Sequence, residues 1–248
     1  MCLIVFAWRP EDNESLILAA NRDEFYARPS APLDTWDDQP DIIGGRDLTA
    51  GGTWLAVGRD GRFATVTNIR DPSQPVSDRS RGELPVRFLE RDISAEEYVH
   101  EVAQRSDEYT GFNLLLGDRQ SLWHLNARSR KPHRLPPGVY GVSNADLNTP
   151  WPKLLRARAS LEQALETPSD EALFALLADT WRPDPVTLPH TGISHELEML
   201  LSSVFISSEH YGTRASTVLR QQVDGQTVIT ERRFGAYGKS LGESRRTL

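Results

Sequence analysis

The sequence predicts an α+β protein in which helices pack on the outer faces of antiparallel sheets. Apolar runs joined by turns come first, helical patterns occupy the middle of the chain, and extended segments close it. The regular alternation of strands and helices that builds a parallel doubly wound sheet is missing. Because neither an internal repeat nor a linker interrupts this pattern, we expect a single domain over residues 1–248.

The first two elements are predicted to form a β-hairpin. CLIVFAW is short, apolar on both faces and followed by the turn-like RPEDN, which is typical of a buried strand. SLILAAN has the composition expected of its partner strand. The Pro-rich stretch ARPSAPLDTWDDQPD then predicts a long loop.

Further strands are predicted on the same grounds. WLAVG and RFATVTN flank a turn centred on Asp60 and Gly61, which predicts a second hairpin. We interpret the basic C-terminal stretch GESRRTL as a solvated tail. The remaining predicted strands are FNLLLGD, SLWHLN, GVYGVSN, SVFISS, STVLRQQ and TVITERRFG.

Three stretches carry helix signals. Ser94 and Glu97 match a capping box, and Pro152 stands where the first turn of a helix tolerates proline. Either Ser169 or Asp170 can cap the last of the three. The predicted helices are SAEEYVHEVAQRS, PWPKLLRARASLEQAL and SDEALFALLAD.

Composition excludes several functional classes. A net charge of -7 argues against a general basic surface for nucleic acid, and one cysteine forms neither an internal disulfide nor a thiolate-rich metal site. The apolar start lacks the basic flank of a signal peptide, and no stretch reaches the roughly 18 apolar residues of a membrane span. We therefore expect a cytoplasmic protein that binds a small molecule and uses no cofactor or metal.

The single cysteine, Cys2, directly follows the initiator methionine. Once Met1 is removed, Cys2 carries a thiol together with a free α-amine, whose pKa of roughly 7.7–8.0 leaves part of it neutral near pH 7. Such an amine accepts the thiol proton without a separate histidine. The alternative is a buried strand residue, because free cysteine is among the most buried residue types.

Polar residues at predicted strand ends supply candidates for the other groups of an amide-cleaving site. Such a site needs hydrogen-bond donors for the oxyanion. Asn68 and Asn144 each end a predicted strand, and Arg214 lies between two late strands. Each of them taken alone is better explained by turn chemistry. Beside Cys2, all three become candidate site residues.

A set of motifs extends along nearly the whole chain. MCLIVFAW is followed by AANRDEFYARP, in which Asn21 to Glu24 spell NRDE. The later motifs are GGTWLAV, VTNIRDP, SRGELPVRFL, YTGFNLLLGD, GVYGVSNADLNTPWPK and FISSEHYGTRASTVL. Together these resemble the NRDE family, also called the transport and Golgi organisation 2 family.

A more distant resemblance is to N-terminal nucleophile hydrolases of the choloylglycine hydrolase and penicillin V acylase type. It implies a four-layer αββα sandwich with two antiparallel sheets between helical layers. It also implies Cys2 as the nucleophile, Asn144 as a substrate-side or oxyanion donor, and Asn68 as a second donor. Arg214 would stabilise the thiolate or the charge of the transition state.

This resemblance is weakest at Arg22 and Asp23. The hydrolases carry an arginine and an aspartate three positions apart on their second strand, whereas here the two are adjacent. Adjacent strand residues point to opposite faces, so both reach Cys2 only if the strand ends or bulges there. We favour Asp23 as the anchor of the terminal amine and Arg22 as its electrostatic neighbour. A structural salt bridge is the alternative.

Two functions are compatible with these features. The first is hydrolysis or transfer of an acyl group at an amide or thioester through an acyl-Cys2 intermediate. The second, implied by the family resemblance, is non-catalytic binding or trafficking of an apolar ligand such as haem, a lipid or acyl-CoA. Candidate ligand contacts are Asn21, Trp54 and His210. The candidate axial ligands for haem are Cys2, His124, His190, His195 and His210. We prefer His210 among the histidines, because it lies in the family motif just before Arg214.

Overall fold

The computed structural model describes residues 2–248. Within this range the strands form two antiparallel sheets, named here sheet A and sheet B. The strands are β1 (Cys2–Trp8), β2 (Glu14–Phe25), β3 (Ser30–Thr35), β4 (Ile42–Asp47), β5 (Leu55–Gly58), β6 (Phe63–Asn68), β7 (Phe112–Gly117), β8 (Leu122–Asn126), β9 (Pro132–Arg134), β10 (Gly138–Val142), β11 (Tyr211–Gln222), β12 (Thr227–Phe234) and β13 (Ser240–Thr247).

Sheet A has the strand order β10-β1-β2-β11-β12-β13, and sheet B runs β3-β4-β5-β6-β7-β8-β9. The helices within residues 2–248 are α1 (Glu83–Glu90), α2 (Ala95–Gln104), α3 (Pro152–Ala164), α4 (Asp170–Leu177) and α5 (His195–Leu200). Among the same residues, the helices are too short or too polar to cross a bilayer.

Three apolar clusters define four layers. Side chains such as Phe6, Leu18 and Phe63 pack between the two sheets. A second cluster joins the outer face of sheet A to α3 and α4, and a third joins the outer face of sheet B to α1 and α2. The predicted α+β class is confirmed, and so is the four-layer sandwich of two antiparallel sheets between helices.

Local sequence signals place the predicted helices correctly. The Ser94 hydroxyl accepts from the Glu97 amide, and the Glu97 carboxylate accepts from the Ser94 amide, which completes the capping box of α2. Pro152 occupies the first turn of α3. Of the two possible caps for α4, Ser169 is the one that accepts from the Ala172 amide.

Three predictions about extended segments are wrong. The Pro-rich loop contains β3, which pairs with β4. The stretch SVFISS is not a strand, because Phe205 and Ile206 donate to Asp179 and to the Thr213 hydroxyl rather than to a ladder. The predicted C-terminal tail is strand β13. Its residues are largely exposed and polar, so the sequence shows no alternating pattern. Pairing with β12 is what makes this segment a strand.

Candidate active site

Cys2 opens β1, which lies between β10 and β2 in sheet A. In the β1–β2 register, Cys2 is opposite Arg22 and Leu3 is opposite Asn21. Opposed residues of an antiparallel pair project to the same side, and successive residues alternate. Leu3 packs in the cluster under α3 and α4, whereas Ile4 packs between the sheets. Cys2 and Arg22 therefore face sheet B.

A cavity of about 340 Å³ lies beside the thiol, and we call it the Cys2 cavity. Cys2 itself is 7% exposed and contributes to the lining. The rest of the lining comes from the end of β2 and the loop after it, the end of β4, the residues before β5, β6, segment 76–82 before α1, and Thr110. Its arginines are Arg22, Arg28, Arg79 and Arg81. Its carboxylates are Asp23, Glu24, Asp47 and Asp78.

Burial controls the chemistry of the thiol. Desolvation raises the pKa of Cys2 above its ordinary value, and a hydrogen bond from the Asp23 backbone opposes this. Near neutral pH the sulfur is therefore protonated and needs a base before it can act as a nucleophile.

Asp23 lines the Cys2 cavity although its side chain is almost fully buried. Its Oδ1 accepts from the Thr213 hydroxyl at 2.8 Å, and its carbonyl accepts from the Tyr211 hydroxyl at 3.2 Å. Burial raises the pKa of Asp23, and the positive charge of Lys153 counters that rise. Lys153 is itself buried, donates to the Leu201 carbonyl at 2.9 Å, and has its pKa lowered by burial to about 8.

Arg22 and Asp23 occupy opposite sides of a continuous strand. β2 runs on to Phe25, and the register shift at this point lies on β11, between Thr213 and Ala215. Thr213 pairs with Asp23 on one side of that shift, and Ala215 pairs with Arg22 on the other. Arg22 donates to the Ser30 hydroxyl at 3.3 Å and lies 4.0 Å from the Glu24 carboxylate.

Arg214 sits at the register shift of β11 and clamps the loop that follows β2. Its Nη1 donates to the carbonyls of Phe25 at 3.0 Å, Tyr26 at 3.2 Å and Arg28 at 2.5 Å. It lines a smaller neighbouring cavity of about 120 Å³, which shares Arg22 and Trp54 with the Cys2 cavity. Arg214 thus fixes the loop that carries Arg28, which lines the Cys2 cavity.

The two predicted oxyanion donors take different positions. Asn68 ends β6 and lines the Cys2 cavity. Asn144 is buried behind it and donates from Nδ2 to the Asn68 carbonyl at 2.9 Å. Ser143, which the sequence did not single out, donates to the Cys2 carbonyl at 3.0 Å. Ser143 and Asn144, which directly follow β10, therefore hold the backbones of Cys2 and Asn68.

The three residues predicted to contact a ligand lie in three different environments. Trp54 lines both cavities. Asn21 is buried on the helical side of sheet A, where it donates to the Leu177 and Val204 carbonyls and accepts from Ser216. The His210 side chain is 83% exposed and lies beside Glu209. Asn21 therefore acts in packing, and His210 projects into solvent.

Some groups at the site escaped the sequence analysis. Arg81 lies in SRGELPVRFL and Lys153 in PWPK, two motifs that carried the family resemblance. Nothing in the local pattern distinguishes these cations from surface residues, and only the burial seen in the fold does. The predicted removal of Met1 concerns a residue outside the described range 2–248. Residues 2–248 hold no cluster of three or more His, Cys, Asp or Glu side chains suited to a metal ion.

Comparison of the sequence with known proteins places it in one family. The family model described as Transport and Golgi organisation 2 matches residues 1–236. The Transport and Golgi organization protein 2 homolog of Bos taurus is 36% identical over 256 residues, which covers 94% of this chain and 92% of the relative. That of Homo sapiens is 35% identical with the same coverage.

Two solved structures share the fold at low sequence identity. One is a Caenorhabditis elegans ortholog of N-acylethanolamine-hydrolyzing acid amidase, with a TM-score of 0.52 and 12% identity over 88% of this chain and 92% of that one. The other is a mutant conjugated bile acid hydrolase from Clostridium perfringens, with a TM-score of 0.54 and 8% identity over 100% of this chain and 92% of that one. At these identities the likeness concerns the fold.

Proposed function

The chain belongs to the Transport and Golgi organisation 2 family, and from this membership and the geometry around Cys2 we propose that it cleaves or transfers an acyl group at an amide or thioester bond. The observation that carries the proposal is the placement of the single cysteine, at the start of β1, on the wall of a cavity rich in charged groups. The fold shared with an amidase and a bile acid hydrolase supports it.

The reaction proceeds in two steps. The α-amine that Cys2 gains on loss of Met1 takes the thiol proton, and the sulfur attacks the carbonyl carbon of the substrate. The carbon–nitrogen or carbon–sulfur bond breaks, the proton passes to the leaving group, and an acyl-Cys2 thioester remains. Water activated by the same amine then attacks the thioester and releases the acid.

The neighbours of Cys2 have separate tasks in this reaction. Asn68 donates to the developing oxyanion from its place on the cavity wall. Arg22 stabilises negative charge on the sulfur from the opposed position of β2. Asp23 projects to the other side of that strand and still lines the cavity, so its task is to orient the backbone amine of Cys2 and not the thiol. Asn144 acts at one remove, because its amide positions the Asn68 carbonyl.

Acylation by a small activated ester tests the proposal. Incubation with p-nitrophenyl acetate should give a burst of nitrophenolate and one acetyl group on Cys2, seen by intact mass on a chain that starts at Cys2. Labelling should be faster than for a free peptide with the same N-terminal sequence. Cys2→Ala should abolish the burst, and Cys2→Ser should retain little of it, because a hydroxyl is the weaker nucleophile near neutral pH.

The controls separate chemistry from folding. Cys2→Ala should leave the thermal unfolding midpoint close to that of the parent protein. Asn68→Ala should lower turnover by about 10²–10³, the usual cost of losing an oxyanion donor. A Cys2→Ala variant that mainly unfolds would instead identify Cys2 as a core residue.

The non-catalytic alternative makes a different prediction. A haem carrier should change the haem absorption spectrum at stoichiometric loading with Met1 either present or absent. The charged lining of the Cys2 cavity argues against an apolar occupant there, and the exposed His210 offers no enclosed ligand site. A haem spectrum that shifts while Cys2 resists acetylation would overturn the enzymatic proposal.

A further inference from the structure

Arg81 differs from the paired arginines of the Cys2 cavity in its partners. Arg28 is paired with Asp47 at 2.6 Å. Arg79 is paired with Glu83 and Glu108. Among residues 2–248, no carboxylate oxygen lies within 4 Å of the Arg81 guanidinium, whose Nη1 donates to the Gly111 carbonyl at 3.2 Å. Most of its five N–H donors are therefore available to the cavity.

The backbone that carries Arg81 is held firmly from both sides. The Ser77 amide donates to the Thr110 hydroxyl at 2.8 Å, and the Gly82 carbonyl accepts from the Thr53 amide at 3.0 Å. The Arg79 guanidinium also stacks on the Tyr109 ring at 4.7 Å. α1 begins directly after this segment. Arg81 is thus presented from an ordered turn, and little conformational entropy is lost when it binds a ligand.

The surroundings of Arg81 make an unpaired charge costly. Burial lowers the pKa of Arg81, and the Cys2 sulfur and Glu24 are among the groups that act on it electrostatically. A guanidinium nevertheless stays protonated in proteins, so the cation persists in a partly desolvated place. An anionic ligand group would offset that cost through charge-assisted hydrogen bonds, which are the strong ones.

The charges around the cavity also limit what can bind. Arg22 reaches the same space from the Cys2 side, 4.0 Å from Glu24. Glu24 and Asp78 line the cavity as well, and they would repel a ligand of high negative charge. Two cations that line the cavity together with Cys2, and two carboxylates in the same lining, suit a ligand that carries a single compact anionic group.

We propose that Arg81, assisted by Arg22, binds a carboxylate or phosphate group of the substrate and so places the scissile carbonyl beside Cys2. This rests on the proposed function for the identity of the reacting bond. It narrows the substrate class to amides or thioesters that carry one such anionic group close to that bond.

Alkylation of Cys2 tests the anion site without any acyl transfer. Iodoacetate and iodoacetamide share a leaving group and nearly the same size, and they differ by one negative charge. Cys2 is the only cysteine in the chain, so intact mass reports its alkylation rate directly. The ratio of the iodoacetate rate to the iodoacetamide rate cancels any change in the thiol pKa. We expect this ratio to be higher in the protein than in a cysteine peptide.

Variants of Arg81 should move that ratio selectively. Arg81→Gln should lower it about tenfold, the order expected for one charge-assisted hydrogen bond. Arg81→Lys should retain an intermediate value, because the charge stays and the planar fork is lost. Arg134→Gln, a matched change at an exposed residue of the edge strand β9, should leave the ratio unchanged. Equal ratios in the parent protein and in Arg81→Gln would overturn the proposal.

A binding measurement covers the case in which Cys2 reacts with neither reagent, and it distinguishes the two anions. At constant ionic strength, inorganic phosphate or acetate should raise the thermal unfolding midpoint of the parent protein and not that of Arg81→Gln. The more effective anion identifies phosphate or carboxylate as the group recognised. No shift with either anion, or the same shift in both proteins, would count against the site. An Arg81-dependent ratio or shift without p-nitrophenyl acetate turnover would keep the anion site and refute the enzyme.

Discussion

At the scale of single residues, adjacent positions on a strand serve different layers of the molecule. Arg22 faces the Cys2 cavity from the inner side of sheet A, whereas Asp23 is buried against Thr213. The Asn21 side chain, one position earlier, donates hydrogen bonds to two backbone carbonyls near α4 and α5. The NRDE motif thus combines a structural amide, a cavity cation and a buried carboxylate within three residues, and its conformation is that of a regular strand.

His124 is a buried polar residue whose hydrogen-bond network reaches the loop that follows Asn144. It lies on β8, and its Nε2 is 3.3 Å from Oδ1 of Asn113. Asn113 in turn donates to the Ala145 carbonyl at 2.6 Å and to the Thr67 hydroxyl at 3.1 Å. The network therefore links sheet B to the loop that follows Asn144. Burial lowers the pKa of His124 to about 4.

The protein should lose stability in acid because of His124. Between pH 6.5 and about 4 the unfolded chain binds a proton that the folded one excludes, so the free energy of unfolding falls as pH falls through this window. The loss reaches about 3 kcal/mol at the lower end. Urea titrations at several pH values between 7 and 4 measure it.

Two substitutions test the assignment to His124. His124→Gln should remove most of the extra acid sensitivity, at the cost of some stability at pH 7. His190→Gln, which changes an exposed histidine, should leave the pH profile as it is. Parallel stability curves for the parent protein and His124→Gln across this range would show that other groups cause the acid loss.

At the scale of elements, the backbone at the start of α1 packs directly against a glycine that precedes β5. A Cβ at Gly52 would lie 2.4 Å from the Gly82 carbonyl oxygen, so the backbones meet at a distance that no other residue permits. The Thr53 amide donates to that same carbonyl. This contact sets where segment 76–82, with Arg81, stands relative to Cys2.

Gly52→Ala should therefore disturb the site as well as the fold. The methyl group must displace backbone atoms, which should cost about 1–3 kcal/mol of stability. It should also lower the iodoacetate preference of Cys2, because Arg81 moves with Gly82. Gly235→Ala is the control, since its added Cβ would meet Leu241 at 3.6 Å, an ordinary contact. A Gly52→Ala protein with the parent's stability and preference would disprove this coupling.

At the scale of the whole molecule, one buried ion pair ties a loop of sheet B to α5. Arg70 follows β6 and pairs with Glu198, and their side chains are 6% and 4% exposed. Arg70 also lies over the Trp151 ring at 4.9 Å, and Glu198 accepts from the Thr191 amide at 3.0 Å. The pair joins segments far apart in sequence, next to the residue that precedes α3.

Removing one partner should be much worse than removing both. Glu198→Ala leaves a buried guanidinium without its counter-ion and should cost about 3–5 kcal/mol. The double variant Arg70→Met/Glu198→Leu should recover much of that loss, because apolar residues of similar volume replace both charges. Chemical denaturation of the single and double variants completes the cycle.

A surface pair provides the comparison. Arg9 and Asp12 are 3.8 Å apart with half-exposed side chains, and Asp12→Asn should change stability by less than about 0.5 kcal/mol. A Glu198→Ala effect as small as this would mean that water or neighbouring groups stabilise the Arg70 charge when Glu198 is absent.

Local sequence determined much of this protein. The apolar run of β1, the capping box at Ser94 and Pro152 in α3 each act within a few residues, so their elements could be predicted from the chain itself. The chemical inventory of the site, one cysteine with nearby asparagines and arginines, was also readable. β13 and the stretch SVFISS were misread, because pairing with β12 and hydrogen bonds to distant residues decide their conformations.

Only the tertiary structure decided which of those groups meet. The Cys2 cavity brings together residues from position 2 to position 110, so its membership depends on how the two sheets stack. That packing placed Asn68 and Arg81 at the cavity, Asn144 behind it and His210 in solvent. Strand period specifies the face on which a side chain lies, whereas burial and electrostatic partners depend on contacts between distant segments.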